Sequence, residues 1–312
     1  MVNHALYAAV VLIWGTTWIA LKYQVGVVSP EVSVALRFLL AAALLMAWCG
    51  VRRLPMRFNG RQHAFMAAQG LGLFCLNYIP FYWAAQWLTS GLLAVAFSSV
   101  IVFNLLLGAL FLGHRIEGRV ALGAAVGLGG IALVFWPELQ GVDLGSDTAL
   151  GVGLALLGTI AASCGMMISS RNQRAGLPVL QTNAYGMLYG GLVTAAYVTL
   201  APGVSWGWDG RMEYTVALGY LALFGSVLAF GFYLTLLGRI GPARASYASV
   251  LFPVIALGIS TLLEGYHWPL VAVAGMILVL AGNVLVLTRG RLRLRLPGRP
   301  APAAAPVQGE NA

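Results

Sequence analysis

Charge is scarce in this chain: Asp, Glu, Lys and Arg make up 9% of the residues, against about 25% in soluble domains. With 60% hydrophobic residues, that deficit excludes an ordinary soluble fold and assigns the chain to a bilayer. Acids are the scarcer sign. Glu31, Glu117, Glu138, Asp143, Asp147, Asp209, Glu213, Glu264 and Glu310 all fall in loops, tails or helix ends, as do the four histidines. The apolar runs therefore lack the intramembrane carboxylate or histidine on which proton-coupled carriers commonly rely. An embedded enzyme would need convergent His, Asp or Ser–His groups, and no intramembrane pair supplies them. No catalytic residue, metal site or cofactor is expected. Cys49, Cys75 and Cys164 stand singly in apolar runs with no C-x-x-C pair, so they read as packing residues. No G-x-x-x-x-G-K-[ST] loop is present, and Gly127-Leu128-Gly129-Gly130 follows no strand, so neither ATP nor a dinucleotide has a site.

Long apolar runs are what the chain has in quantity. A helix needs about 20 residues to cross roughly 30 Å of hydrocarbon, and it satisfies its own backbone groups there. Barrel strands would alternate polar and apolar residues, which these runs do not. Ten runs fit: 4–22, 31–49, 63–87, 91–112, 118–136, 150–170, 179–200, 214–237, 242–263 and 268–287. The expected fold is all-α and integral to the membrane. A signal peptide is the competing reading of the first run, but Met1 to His4 carries no Lys or Arg and no small-x-small site follows.

A net charge of +9 would suggest nucleic acid on a soluble chain; here it sorts by loop instead. Arg52, Arg53, Arg57, Arg61, Arg115, Arg119, Arg171, Arg174, Arg239, Arg244, Arg289, Arg291, Arg293, Arg295 and Arg299 fall in even-numbered loops, their helix ends or the tail, and only Lys22 and Arg211 lie opposite. This asymmetry puts both termini in the cytoplasm, in a plasma membrane of the bacterial inner-membrane kind. Residues 288–312 are basic, then Pro/Ala-rich, and read as a disordered cytoplasmic tail.

The chain also repeats itself at an offset of about 150 residues. Trp14-Gly15 precedes Lys22 as Cys164-Gly165 precedes Asn172; Pro30 and Arg37 correspond to Pro178 and Tyr185; Tyr82 matches Tyr233 and Ser99-Val100 matches Ser249-Val250. The spacing from Gly123 to Gly130 recurs as Gly275 to Gly282. Two units follow, 4–136 and 150–287, each of five spans. Five is odd, so consecutive copies enter the membrane in opposite directions, and inverted repeats of this kind carry substrate sites at their interface near mid-membrane.

The stretch Trp14-Gly15-Thr16-Thr17-Trp18-Ile19-Ala20-Leu21-Lys22, then Pro30 and Ala35-Leu36-Arg37-Phe38, resembles the opening of an EamA domain of the drug/metabolite transporter superfamily. Phe252-Pro253-Val254, Leu263-Glu264, Trp268 and Gly275 to Gly282 are similar to the end of such a domain. Phe103-Asn104 stands where family members usually have Pro, and His114 where they have an acid. The resemblance implies a ten-helix carrier, mostly an exporter of amino acids and other small metabolites. Its partners are then a small-molecule substrate and the lipid bilayer, with no nucleic acid, and it is read as a monomer. Carriers of phosphorylated compounds or nucleotide-sugars, distant relatives in the same superfamily, are the alternative; these would want several buried cations. An embedded enzyme or a channel is the remaining alternative.

Arg37, about six residues inside the second span, either reaches headgroups and carbonyls or contacts a substrate carboxylate. Lys22 is either an interfacial anchor or a second cation for the substrate. Tyr78, Tyr82 and Gln86 are four apart and can share one face, which places that stripe on a cavity. Ser98, Ser99 and Asn104, with Tyr185, Tyr233, Tyr247 and Ser249 in the second half, are further candidates, as are Trp14 and Trp18. Each could equally serve interhelical packing.

Overall fold

The computed structural model describes residues 2–112, 118–139, 147–233 and 248–287. Among these every regular element is helical. Helix α1 covers Val2–Lys22 and α2 covers Pro30–Val51, with Pro30 in the first turn, where its missing N–H costs no bond. The third run is composite: α3 (Gly60–Leu71) opens on an Asn59–Gln62 capping box, passes through a π-helical turn at Gly72–Leu76 and continues as α4 (Tyr78–Ala84). The fourth divides into α5 (Ser90–Ser98), whose Thr89 side chain accepts from the Leu92 N–H, and α6 (Val100–Leu112). Then come α7 (Gly118–Leu139), α8 (Asp147–Arg174) and α9 (Val179–Leu200). Helix α10 (Met212–Tyr220) enters a second π-helical segment at Leu221–Leu228 and stays helical through residues 229–233. Helices α11 (Ala248–Leu263) and α12 (Leu270–Leu287) follow.

Seven stretches among the described residues are long and apolar enough to cross a membrane, and Leu251–Leu263 and Leu270–Leu285 are shorter apolar helices. Every run expected from sequence meets a helix, though the described part of the ninth begins only at Ala248. Tyr247 and the expected tail lie outside the described residues.

Helix α7 packs on α12, α2 on α9, α1 on α11 and α6 on α8; α2 also meets the π segment after α10, and α3 meets α9. Small residues permit these approaches. A Cβ on Gly130 would lie 2.6 Å from the Gly275 carbonyl oxygen, and one on Gly282 would lie 2.4 Å from the Gly127 nitrogen. The two glycine spacings seen in the sequence are thus each other's partners across one helix pair. Gly70 meets Gly186, and Gly72 meets Gly165, in the same backbone-to-backbone way.

Cross-contacts sort the connections to two ends. Lys22, Val25, the turn Ala85–Ser90, Arg211 and Glu264 meet at one end. Pro55, Met56, Phe65, Arg171, Asn172 and Tyr185 meet at the other.

Candidate functional site

A cavity of about 460 Å³ lies between the helices, within the 300–1,000 Å³ usual for small-molecule sites. Helices α1 (Trp14, Thr17, Trp18), α2 (Arg37), α8 (Met166 to Arg174) and the third and eighth spans contribute most of its wall. Toward the Lys22 end it stops on Trp18, Phe81, Phe97 and Phe252, whose rings contact one another at centroid distances of 5.2–6.4 Å. In the other direction it reaches Ser169, Ser170, Gln173 and Arg174. Among the described residues its lining contains two cations, Arg37 and Arg174, and no acid.

Arg37 is the chemically distinctive group. It is 2% exposed and sits within α2, where a central arginine costs about 2.5–3.5 kcal/mol on insertion scales. Four contacts offset this, one of them a hydrogen bond with the Tyr82 side chain. Its Nε donates to Ser226 Oγ at 3.2 Å, and its guanidinium carbon lies 4.5 Å from the Tyr78 ring centroid and 5.2 Å from that of Phe38. Ser226 is available because the backbone there is π-helical: its hydroxyl donates to Leu221 O five residues back at 3.0 Å, which turns the oxygen toward α2. Gly225, one residue earlier, keeps the approach open, since a Cβ there would lie 3.3 Å from an Arg37 terminal nitrogen. None of these contacts is with a carboxylate.

Of the residues singled out from sequence, Arg37, Trp14, Trp18, Tyr78, Asn104 and Tyr233 converge on this cavity. Lys22 does not line it: Nζ donates to the carbonyls of Ala85 at 2.5 Å and Leu88 at 3.1 Å, closing the end of α4. Tyr82 is fully buried and donates to Gln24 Oε1 at 2.6 Å, while Gln86 is exposed in the turn beyond α4. The four-residue spacing of Tyr78, Tyr82 and Gln86 makes a stripe only while the helix lasts, and α4 ends at Ala84. Ser98 and Ser99 return their hydroxyls to Val95 O and Ala96 O, both at 2.7 Å. Tyr185 donates to Met56 O at 2.9 Å, beside His63 and Tyr189 at the Arg174 end. Tyr247 and the side chain of Ser249 lie outside the described residues.

Sequence reading did not single out Ser226, Gly225, Asn183, Phe252 or the polar end of α8, and it left Asn77, a polar residue of the third run, off the Tyr78 stripe. Ser226 and Asn183 are polar residues inside apolar runs, a visible signal. The π segments Leu221–Leu228, which holds Ser226, and Gly72–Leu76, which ends at Asn77, carry no sequence mark. Asn183 belongs to a chain of amides: Gln69 donates to it at 3.0 Å, Asn172 donates to Gln69 at 3.0 Å, and Arg171 donates to Asn172 at 3.1 Å. Asn104 accepts from Ser163 at 2.5 Å and faces the Met166 sulfur at 3.4 Å.

Long apolar helices around one polar-footed cavity define a helical membrane protein of the transporter class. A model of the EamA-like transporter family matches residues 4–136 and 149–288, and the chain belongs to that family. It is a membrane transporter, not an enzyme. Among curated relatives, an uncharacterized inner membrane transporter of Escherichia coli, YedA, is 30% identical over 271 residues, covering 82% of this chain and 81% of its own. Protein PagO of Salmonella typhimurium is 23% identical over 263 residues, 84% of each chain. A probable amino-acid metabolite efflux pump of Escherichia coli is 24% identical over 291 residues, 88% of this chain and 90% of its own. A crystal structure superposes with a TM-score of 0.67 at 17% identity, over 91% of this chain and 95% of its own, a likeness of fold alone.

Proposed function

We propose that this protein is a secondary transporter exporting small amphipathic carboxylates, amino acids foremost, across the bacterial inner membrane. The observation that carries the reading is a buried arginine, free of any carboxylate partner among its described contacts, in a cavity walled by aromatic rings. The guanidinium takes the carboxylate and the rings take the apolar body. A relative named as a probable amino-acid metabolite efflux pump supports the substrate class, and one named as an inner membrane transporter supports the location.

The mechanism proposed is alternating access between two inverted halves, 4–136 and 150–287, ten spans in all, with both termini cytoplasmic. The packing pattern supports it. A shift of five spans turns the contact of the first with the ninth into that of the sixth with the fourth, and second-with-eighth into seventh-with-third. Second-with-seventh and fifth-with-tenth map onto themselves. The π segments open at Gly72 and Leu221, in the third and eighth spans, at the repeat offset of about 150 residues. In this state the Lys22 end is held shut: Lys22 grips the carbonyls of the Ala85–Leu88 turn, and Glu264 accepts from the Ser90 N–H at 2.9 Å and from the Ser90 hydroxyl. Releasing that clamp while the Arg174 end closes would expose the same arginine to the other side.

No acid or histidine is among the described residues that line the cavity, which supports downhill efflux or exchange over carboxylate-based proton coupling. Proteoliposomes preloaded with unlabelled amino acids test the reading. Saturable counterflow of labelled amino acid is expected, and an imposed pH gradient should drive no accumulation. Absence of counterflow for all twenty amino acids would refute the substrate class, and unsaturable flux would indicate a channel.

A further inference from the structure

Four carboxamides line the cavity, Asn77, Asn104, Asn183 and Gln173, the last half-buried at the Arg174 end with its nitrogen on Ser169. Two have their oxygens engaged, Asn104 by the Ser163 hydroxyl and Asn183 by Gln69. Asn77 is different. Its Nδ2 donates to Leu73 O at 3.3 Å, and because a carbonyl can only accept, that bond fixes which way the amide faces. Its Oδ1 is then the acceptor left over, buried and without a partner, in a residue 5% exposed. A buried acceptor without a donor costs about 1–3 kcal/mol, and native structures keep few of them without a reason.

The place of Asn77 gives the reason. It terminates the π-helical turn Gly72–Leu76, and the next residue, Tyr78, lies under the Arg37 guanidinium at 4.5 Å. Acceptor and cation therefore share one wall. With no acid among the described residues of the lining, a buried amide oxygen beside the cation is suited to receive an ammonium. Helix α8 holds the backbone in place, since Gly158 approaches so closely that a Cβ on it would meet Asn77 O at 2.7 Å.

We propose that Asn77 is a specificity-determining residue that reads the α-ammonium of the substrate while Arg37 takes its carboxylate. The long bond to Leu73 holds the carboxamide loosely, and rotation about Cβ–Cγ brings Oδ1 to a donor seated against Tyr78. The pair then selects an α-amino acid over the same acid without its amine. This inference rests on the proposed transport of amino acids.

The test is competition for bound labelled leucine and phenylalanine on the detergent-purified full chain. The competitors are the unlabelled amino acids and their amine-free counterparts, isocaproate and hydrocinnamate. The unsubstituted protein should favour the amino acid by about tenfold or more. Asn77→Leu should bring that ratio to within about threefold, through weaker amino-acid binding with unchanged binding of the amine-free acid. Asn77→Asp should preserve or widen it. Equal competition by both classes on the unsubstituted protein, or full discrimination retained by Asn77→Leu, overturns the role of Asn77. A lowered melting temperature in Asn77→Leu with the ratio intact would likewise make the residue structural. Failure of any amino acid to bind or exchange would instead sink the transport reading itself.

Discussion

Replacing Arg37 by Met separates a substrate cation from a structural one. The variant keeps an unbranched apolar stem in the space now filled by the guanidinium, which is 2% exposed. In the folded protein the loss is the hydrogen bonds to Ser226 and Tyr82, worth about 0.5–1.5 kcal/mol net each, and the contact over Tyr78, worth about 0.5–2 kcal/mol. Against that, a charge worth about 2.5–3.5 kcal/mol on insertion scales is no longer buried. The terms nearly cancel, and Ser226 keeps its bond to Leu221 O, so no buried hydroxyl is orphaned. Insertion and melting temperature should therefore hardly change. Binding has no such cancellation. A charge-assisted bond to a carboxylate is worth about 1.5–3 kcal/mol, so affinity should fall roughly 10- to 150-fold, with Arg37→Lys between Met and the unsubstituted protein because it keeps the charge without the planar fork. The assay is counterflow in proteoliposomes across substrate concentrations, beside thermal unfolding in detergent. Unchanged KM and maximal rate in Arg37→Met, together with a melting temperature several degrees lower, would refute the reasoning and return Arg37 to helix packing.

Three further outcomes follow from the geometry. Gly130→Ala puts a Cβ 2.5 Å from the Val279 nitrogen and must push α7 from α12 at a cost of about 1–3 kcal/mol, whereas Gly129→Ala, with nothing within 4 Å, should be neutral or stabilising; equal melting temperatures would contradict the packing. Glu264→Gln weakens the clamp on Ser90, so a cysteine placed at Phe97 in a cysteine-free background should react with an impermeant maleimide from the Lys22 side in that variant and not in its parent; equal labelling in both would show that the clamp does not hold this end shut. Hydrogen bonds from Arg211 hold the Asp209 carboxyl below the usual carboxylate range, so the loop gains stability that is full above that range and lost as pH falls through the lowered value. Unfolding of the unsubstituted protein and Asp209→Asn should differ at neutral pH and converge in strong acid; a gap that persists there would count against the ion pair.

The legible part of the fold was what is local. Length and apolarity marked each span from α1 to α12, and the recurring Gly123–Gly130 and Gly275–Gly282 spacings marked close-packing helices, although only the structure pairs them with each other. The site was legible in composition and less so in membership. Arg37, Trp14, Trp18, Tyr78, Asn104 and Tyr233 share the cavity, while Lys22, read as a companion cation, instead caps the Ala85–Leu88 turn. Tyr82 and Gln86 left the Tyr78 stripe because α4 ends at Ala84.

The sequence by itself determined that this is a helical membrane protein, because in hydrocarbon each segment must satisfy its own backbone and long apolar runs have no alternative to helices. Tertiary structure alone decided which polar groups face one another. A π-helical turn rotates everything beyond it relative to a regular helix, and residues far apart in the chain supply the partners. So Ser226 came to meet Arg37, and Asn77 kept its oxygen unpaired beside it. The scarcity of charge made Arg37 conspicuous in the sequence; the fold gave it an aromatic wall and a cavity with no competing acid among the described residues.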